Sequence, residues 1–145
     1  MAWQVEFDDE FKKEYDQFNA VVKEELVARA LTLSEVGPQL GRPYVDTLKG
    51  SKHANMKELR FDVENEVWRV AFAFDTERKA ILLAGADKKG QNQKQFYNKL
   101  ISIADKRYSN HLEKLKNKYY HGNSNSKSAS RVSKRQAGKN KGESK

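Results

Sequence analysis

The sequence predicts an α+β fold: an N-terminal strand and a helical hairpin packed on an antiparallel sheet meander, followed by a long C-terminal helix. Three apolar runs, at residues 56–63, 67–74 and 79–86, alternate with period two between short polar turns, which is typical of such a meander. Two segments of helical period precede the runs, and a longer one follows them. We assign residues 1–120 to this domain and residues 121–145 to a disordered basic tail.

The composition excludes several kinds of site. The chain of 145 residues has no cysteine and three widely spaced histidines, so a disulfide, a thiolate metal site or a zinc site is not expected, and neither is a cofactor. No apolar run is long enough to cross a bilayer, and the N-terminus has no signal-peptide pattern. We therefore expect a cytoplasmic protein.

Positive charge is concentrated in the tail. The formal net charge is +8, from 28 basic and 20 acidic residues. Residues 121–145 hold seven of the basic residues and one of the acidic residues, which leaves 21 and 19 for residues 1–120. A basic site on the domain must therefore be local. The tail has too few apolar residues to fold, and it adds a diffuse attraction to polyanions.

A short first strand at residues 3–7 and a helical hairpin open the predicted domain. Asp8 or Asp9 caps the first helix and Asn19 the second, which ends at a glycine–proline pair. Apolar residues recur at helical spacing in both helices. They define the faces that we expect to cover the sheet: Phe11, Tyr15 and Phe18 in the first helix, and Val22, Leu26, Ala30 and Leu33 in the second.

One register pairs the apolar faces of the first two meander strands across a turn at residues 64–65. It places Leu59 opposite Val70 and Phe61 opposite Trp68. On the other face, the same register sets two long cations directly opposite each other, Arg60 and Arg69. We expect these cations to stand on a floor of small residues: Ala71, Ala73, Ala80 and Ala84.

Two interpretations of the arginine pair stay open at this stage. Like charges that face each other across strands are unfavourable, so Glu58 and Asp62 on the same face may be read as neutralising partners in an ordinary solvated surface. Alternatively, the two guanidinium groups form a shallow groove for a phosphate or carboxylate, which each of them can bind with paired hydrogen bonds.

Basic residues flank the predicted groove on both sides. The long loop at residues 37–55 carries Arg42, Lys49, Lys52 and His53 to the first meander strand. His53 is either a functional residue beside the arginine face or a loop histidine bonded to neighbouring backbone. Lys88 and Lys89 leave the sheet where the groove should open.

The last helix begins at a cap on Asn92 and has a long apolar stripe. The stripe contains Phe96, Leu100, Ile103, Ala104 and Tyr108, and it continues to Leu112 and Leu115. Tyr97 either hangs over the groove or packs beside Ile101. The helix could also cover Ala71 and Ala73 as a core layer, and the sequence does not decide this point.

Three segments resemble the toxins of type II toxin–antitoxin systems in the RelE/ParE superfamily, and in particular its HigB-like, phage-derived branch. They read GPQLGRPYVDTLKGSKHANMKELRF, VWRVAFAFDTERKAILLAGADKKG and KQFYNKLISIADKRYSNHL. Together they cover most of residues 1–112. The resemblance implies a RelE-like fold, a metal-independent endoribonuclease that cuts messenger RNA on the ribosome, and control by an antitoxin that often carries a helix-turn-helix DNA-binding domain.

The resemblance also implies roles for individual residues. In the reaction a ribose 2′-hydroxyl attacks the adjacent phosphorus, which requires alignment, proton transfer and stabilisation of phosphate charge. Arg60 and Arg69 would stabilise the phosphate, and His53 or Tyr97 would transfer protons. Further candidates are Lys57 and Lys88 at the catalytic centre, and Arg42, Lys49, Lys52 and Lys89 for RNA binding.

The chain departs from the pattern of the family in two ways. Better-known relatives end in a catalytic tyrosine or histidine, for which the long last helix offers no obvious counterpart. Strand alternation also places Lys57 on the Leu59 face, away from Arg60. Two alternative functions are a ParE-like inhibitor of DNA gyrase and a degenerate toxin that keeps only antitoxin binding.

Overall fold

The computed structural model describes residues 2–122 and has the predicted order of elements with two short additions, a 3-10 turn and a strand between the second helix and the meander. The elements are β1 (Gln4–Phe7), α1 (Asp9–Asp16), α2 (Ala20–Val36), a 3-10 turn (Gly37–Gln39), β2 (Val45–Thr47), β3 (Met56–Val63), β4 (Glu66–Phe74), β5 (Lys79–Asp87) and α3 (Gln93–Gly122). None of the helices in residues 2–122 has a stretch both long and apolar enough to cross a membrane.

The chain divides into two units, Met1–Ser109 and Asn110–Lys145. The first unit contains the sheet, α1, α2 and the start of α3. The described part of the second unit is the C-terminal portion of α3, which ends at Gly122. Of the predicted tail, residues 121–145, the structure describes only the first two residues, at the end of α3, and the rest lies outside the described residues.

The five strands form one sheet in the order β1-β5-β4-β3-β2. β1 runs parallel to β5, and all the other pairs are antiparallel, so the predicted meander is confirmed. Its predicted register is also confirmed, with Leu59 opposite Val70 and Phe61 opposite Trp68. Strand β2 was not predicted, because three residues within a loop are too few to show an alternation.

The hairpin of α1 and α2 covers one face of the sheet, as expected. Both caps are present: Asp8 accepts hydrogen bonds from the backbone of Glu10 and Phe11, and Asn19 accepts one from Val22. The buried core on this face draws on both helices and on the sheet: Phe11, Val22, Leu26, Leu33, Leu59, Phe61, Trp68, Val70, Phe72 and Leu82.

The prediction that Ala80 lies beneath the two arginines is wrong. This residue belongs to the core under the hairpin and lies opposite Phe74, not beneath the arginines. The reason is a β-bulge beside Ala71 and Phe72, which shifts the partner strand by one residue. Because side chains alternate along a strand, a one-residue shift exchanges the two faces.

Helix α3 covers the opposite face of the sheet. Its apolar stripe is buried at Phe96, Leu100, Ala104 and Tyr108, and so are Ala71 and Ala73 of β4. The Tyr108 hydroxyl donates to the Phe74 carbonyl over 3.2 Å. The open question from the sequence is thus resolved: the last helix seals the middle of this face as a third layer.

Arg107 fixes α3 to the rest of the first unit. Its Nη1 donates to the carbonyl of Leu83, within the bulge, over 2.8 Å, and to Oε1 of Glu14 in α1 over 3.0 Å. Asp8, the α1 cap, lies 3.8 Å away. The hydrogen bond with Glu14 raises the pKa of Arg107. One guanidinium therefore joins the last helix, the bulge and the first helix.

Candidate functional site

The face covered by α3 carries rows of side chains set by the strand register. One row contains Glu58 and Ala71, and the next contains Arg60 and Arg69 directly opposite each other. Lys88 lies one row farther on, where its backbone N–H donates to the carbonyl of Val67 over 2.8 Å. Rows on one face are about 7 Å apart. The predicted side-by-side placement of the two arginines is confirmed.

Glu58 lies between the two arginines and contacts both. Its Oε2 accepts a hydrogen bond from Nη1 of Arg60 over 2.9 Å, and its Oε1 is 3.8 Å from Nε of Arg69. The Glu58 side chain is only 4% exposed. The sequence interpretation of Glu58 as a neutralising partner is therefore correct, but the group is buried instead of solvated. Two cations and one carboxylate leave this cluster with one excess positive charge.

The two arginines have different access to solvent. The Arg60 side chain is 25% exposed, whereas that of Arg69 is 8% exposed. Arg69 donates from Nη1 to the Trp68 carbonyl over 2.9 Å, and its buried Nε has no hydrogen-bond partner. Phosphate binding by both guanidinium groups stays a prediction, and the two groups differ in how readily a ligand can reach them. Arg60 can meet a ligand, and Arg69 supports the cluster from below.

Tyr97 closes the cluster from α3. Its hydroxyl donates to Oε1 of Glu58 over 2.9 Å. Burial and this bond to Glu58 raise the pKa of Tyr97, and only the contact with Arg69 opposes the shift. The phenol is thus protonated at neutral pH and can act as a proton donor. Because Tyr97 bonds Glu58, the alternative from the sequence, that it only packs beside Ile101, does not hold.

Arg42 lies at the edge of the cluster, where it binds Asp46, a residue that was not among the candidates from the sequence. Asp46 of β2 lies opposite Glu58, and Arg42 binds its Oδ2 through Nε at 3.1 Å and Nη2 at 2.7 Å. The hydrogen bond from Arg42 lowers the pKa of Asp46, and the charge of Arg60 contributes. Asp46 was missed because β2 was not predicted. Without a strand register, the sequence does not show which residues lie next to an acidic residue in a loop.

His53 does not lie beside the arginines, so that expectation is wrong. Its Nε2 is 3.0 Å from the Ser109 hydroxyl, and its ring packs edge-on against Tyr108. Ser109 is twelve residues beyond Tyr97 on the same helix, which corresponds to about 18 Å. The loop reaches α3 at this distant point because Asp105 binds both the Ser51 hydroxyl and the Lys52 backbone N–H.

Lys57 lies on the wrong face for the cluster. It is opposite Phe72, whose side chain belongs to the core under the hairpin. Pairing between β3 and β4 is regular from Met56 to Val63, so no bulge turns the Lys57 side chain towards Arg60. The caution drawn from strand alternation is confirmed.

Four basic candidates remain, and each lies at a separate position. Lys88 Nζ donates to Oε1 of Gln93, at the start of α3, over 3.2 Å. Lys49 lines a cleft together with Tyr97. Lys89 is exposed in the turn after β5, and Lys52 is exposed beside His53. In residues 2–122, no three His, Cys, Asp or Glu side chains are grouped so that they could hold a metal ion.

Known proteins resemble this chain in sequence and in fold. Residues 13–109 match the family described as phage derived protein Gp49-like (DUF891). HigB2 of Mycobacterium tuberculosis (strain ATCC 25618 / H37Rv), named as a toxin, is 48% identical over 91 residues, which are 61% of this chain and 44% of HigB2. HigB3 of the same strain, also named as a toxin, is 49% identical over 87 residues, which are 59% of this chain and 74% of HigB3. The chain thus spans less than half the length of HigB2.

Two solved structures share the fold. A free-state variant of E. coli toxin RelE, with two arginines replaced by alanine, gives a TM-score of 0.53 at 18% identity, over 74% of this chain and 98% of RelE. Isolated E. coli RelE gives 0.50 at 15% identity, over 68% and 97%. The fold is therefore that of the RelE superfamily. The chain belongs to the phage-derived Gp49-like family and is HigB-like in sequence.

Proposed function

We propose that the protein is the toxin of a type II toxin–antitoxin system and acts as a ribosome-dependent mRNA endonuclease. The observation that carries the proposal is the cluster of Arg60, Glu58, Arg69 and Tyr97, which offers one excess positive charge and a protonated phenol at the edge of α3. Membership of the HigB-like branch supports the assignment. The proposal also includes a cytoplasmic location and an antitoxin partner with a helix-turn-helix domain, both from family resemblance.

The proposed chemistry is attack of a ribose 2′-hydroxyl, which gives its proton to a water molecule, on the adjacent phosphorus, with departure of the 5′-oxygen. Arg60, the exposed guanidinium, binds the phosphate and stabilises the negative charge that grows on it. Tyr97, whose raised pKa keeps it protonated, turns its hydroxyl hydrogen from Glu58 to the leaving 5′-oxygen and donates it there. The phenolate then regains a proton from water. The products are a 2′,3′-cyclic phosphate and a 5′-hydroxyl.

The other members of the cluster position these two groups. Glu58 holds Arg60 and Tyr97 through its two carboxylate oxygens, which fixes the guanidinium and the phenol relative to each other. Arg69 places its positive charge 3.8 Å from Glu58, within the sheet face. Lys88, one row away, adds positive charge where the RNA backbone leaves the site.

The proposal is tested by induced expression followed by mapping of RNA ends and of DNA breaks. We expect growth arrest with new transcript ends inside coding regions and no rise in DNA breaks. DNA breaks without transcript cleavage would instead indicate inhibition of gyrase, and no growth arrest would indicate a degenerate toxin. In vitro, a single 2′-deoxynucleotide before the cut site in a ribosome-bound mRNA should abolish cleavage there. Continued cleavage would refute attack by the 2′-hydroxyl.

A further inference from the structure

A cleft lies beside the cluster, between the loop after β2 and the first turns of α3. Its volume is about 690 Å³, within the range of about 300–1,000 Å³ that is usual for small-ligand sites. One wall is the loop at Lys49 and Gly50. The other wall is the helix, at Gln93, Lys94, Tyr97, Asn98 and Ile101.

The walls combine the chemical groups that recognise an unpaired nucleotide. Lys49 and Lys94 are exposed, and they place a positive charge on each wall. The Tyr97 ring and the Ile101 side chain provide an apolar surface on which a base can stack. The side-chain amide of Asn98 is exposed and can both donate and accept hydrogen bonds along a base edge.

Gly50 keeps the loop wall close to the helix wall. Its φ of +97° is a conformation that side chains other than glycine rarely adopt. A Cβ at this position would lie 3.8 Å from Cδ1 of Ile101, so the backbone runs directly beside the apolar surface. The loop and helix walls therefore meet at Ile101, which closes this end of the cleft.

Tyr97 connects the cleft to the cluster. Its ring lines the cleft, and its hydroxyl donates to Glu58 over 2.9 Å. A ligand in the cleft is therefore held one side chain away from Arg60, which contacts the same carboxylate. This distance suits the nucleotide next to a phosphate bound at Arg60.

We propose that the cleft binds one unpaired nucleotide of the RNA substrate, next to the cleaved bond, and that Asn98 sets the base preference at that position. The inference rests on the proposed endonuclease function. The base stacks on the surface formed by Tyr97 and Ile101, and Lys49 and Lys94 neutralise the phosphates on its two sides. Asn98 is a specificity-determining residue, and the two lysines are binding residues.

The test uses the full chain, intact ribosomes and bound mRNAs with randomised bases around the cut site. Asn98→Ala should reduce the preference for the favoured base at one position about 10-fold while kcat changes less than about 3-fold, because a base-edge contact discriminates between bases without touching the reacting atoms. Lys99→Ala is the matched control on the same helix and should keep the preference. Both variants must show the thermal unfolding of the wild type.

The lysines are tested separately. Lys49→Gln together with Lys94→Gln should raise KM about 10-fold and leave kcat nearly unchanged, whereas the charge-matched control, Lys99→Gln with Lys106→Gln, should alter neither. An unchanged base preference in Asn98→Ala, or equal KM values in the two double variants, would overturn the inference. The endonuclease proposal would still stand in that case, provided that the wild type cleaves RNA. A wild type that cuts no RNA would instead refute the endonuclease proposal, and the inference with it.

Discussion

The hydroxyl of Tyr97 donates a hydrogen bond to Glu58 across 2.9 Å, and this contact joins α3 to β3 directly above the buried Arg69. The same carboxylate also accepts from Arg60, the exposed member of the arginine pair. One acidic residue therefore both contacts the last helix and orients the proposed phosphate-binding guanidinium. This double role makes the cluster testable through stability as well as through activity.

Glu58→Gln should lower the free energy of unfolding by about 3 kcal/mol, because it leaves the buried Arg69 without a counter-charge. Urea unfolding measures the change. Asp62→Asn is the matched control on the same strand and face; since Asp62 is exposed, its effect should stay within about 0.5 kcal/mol. Equal effects of the two substitutions would contradict the description of Glu58 as a buried partner of both arginines.

The stability contribution of Tyr97 should depend on pH in the alkaline range. The pKa of Tyr97 is raised above its ordinary value of 10.0, first by burial and then by Glu58, so folding favours the protonated phenol. The difference in unfolding free energy between the wild type and Tyr97→Phe should be constant below pH 10. As the pH rises above 10, the wild type should lose stability relative to the variant. A difference that stays constant or grows above pH 10 would contradict the buried phenol–carboxylate contact.

His53→Gln should leave RNA cleavage within about 2-fold of the wild type, because His53 bonds Ser109 about 18 Å along α3 from Tyr97. The free energy of unfolding should fall by about 1 kcal/mol, the usual contribution of one hydrogen bond. Single-turnover cleavage and urea unfolding provide the two readouts. A 100-fold loss of cleavage in a stably folded variant would show that the distant histidine takes part in the chemistry after all.

Arg107→Gln should destabilise the protein by about 2 kcal/mol, since it removes charge-assisted hydrogen bonds to Leu83 and Glu14. Lys106→Gln changes an exposed neighbour on the same helix and should have little effect. Hydrogen exchange should show faster opening of residues 93–109 in the Arg107 variant. Equal exchange in the two variants would mean that Arg107 does not fix the helix.

Strand alternation predicted the arginine pair because both residues lie in long, regular strands. The register from Leu59 to Val70 follows from matching two apolar faces, and the position of Arg60 opposite Arg69 follows from the same match. The bulge beside Ala71 was not predictable from alternation. It is an interruption of the period, and it moved Ala80 to the other face.

The environment of the site depended on long-range contacts that the sequence does not specify. Glu58 was visible on the arginine face, but its burial results from the docking of α3, which is 39 residues away in the chain at Tyr97. The placement of His53 failed for a similar reason, because hydrogen bonds to Asp105 direct its loop towards the middle of the last helix. The position of Asp46 beside the cluster could not be predicted, because it depends on a strand of only three residues.

Single-turnover cleavage of a ribosome-bound mRNA by Arg60→Gln tests the central claim most directly. Arg78→Gln is the matched control, because Arg78 stacks on Trp3 beyond the far end of β4, about 16 Å along the strand from Arg69. We expect Arg60→Gln to cleave about 100–1,000-fold more slowly than the wild type, as for loss of a group that stabilises developing charge, and Arg78→Gln to retain the wild-type rate. A folded Arg60→Gln protein that cleaves as fast as Arg78→Gln would contradict the assignment of this cluster as the catalytic site.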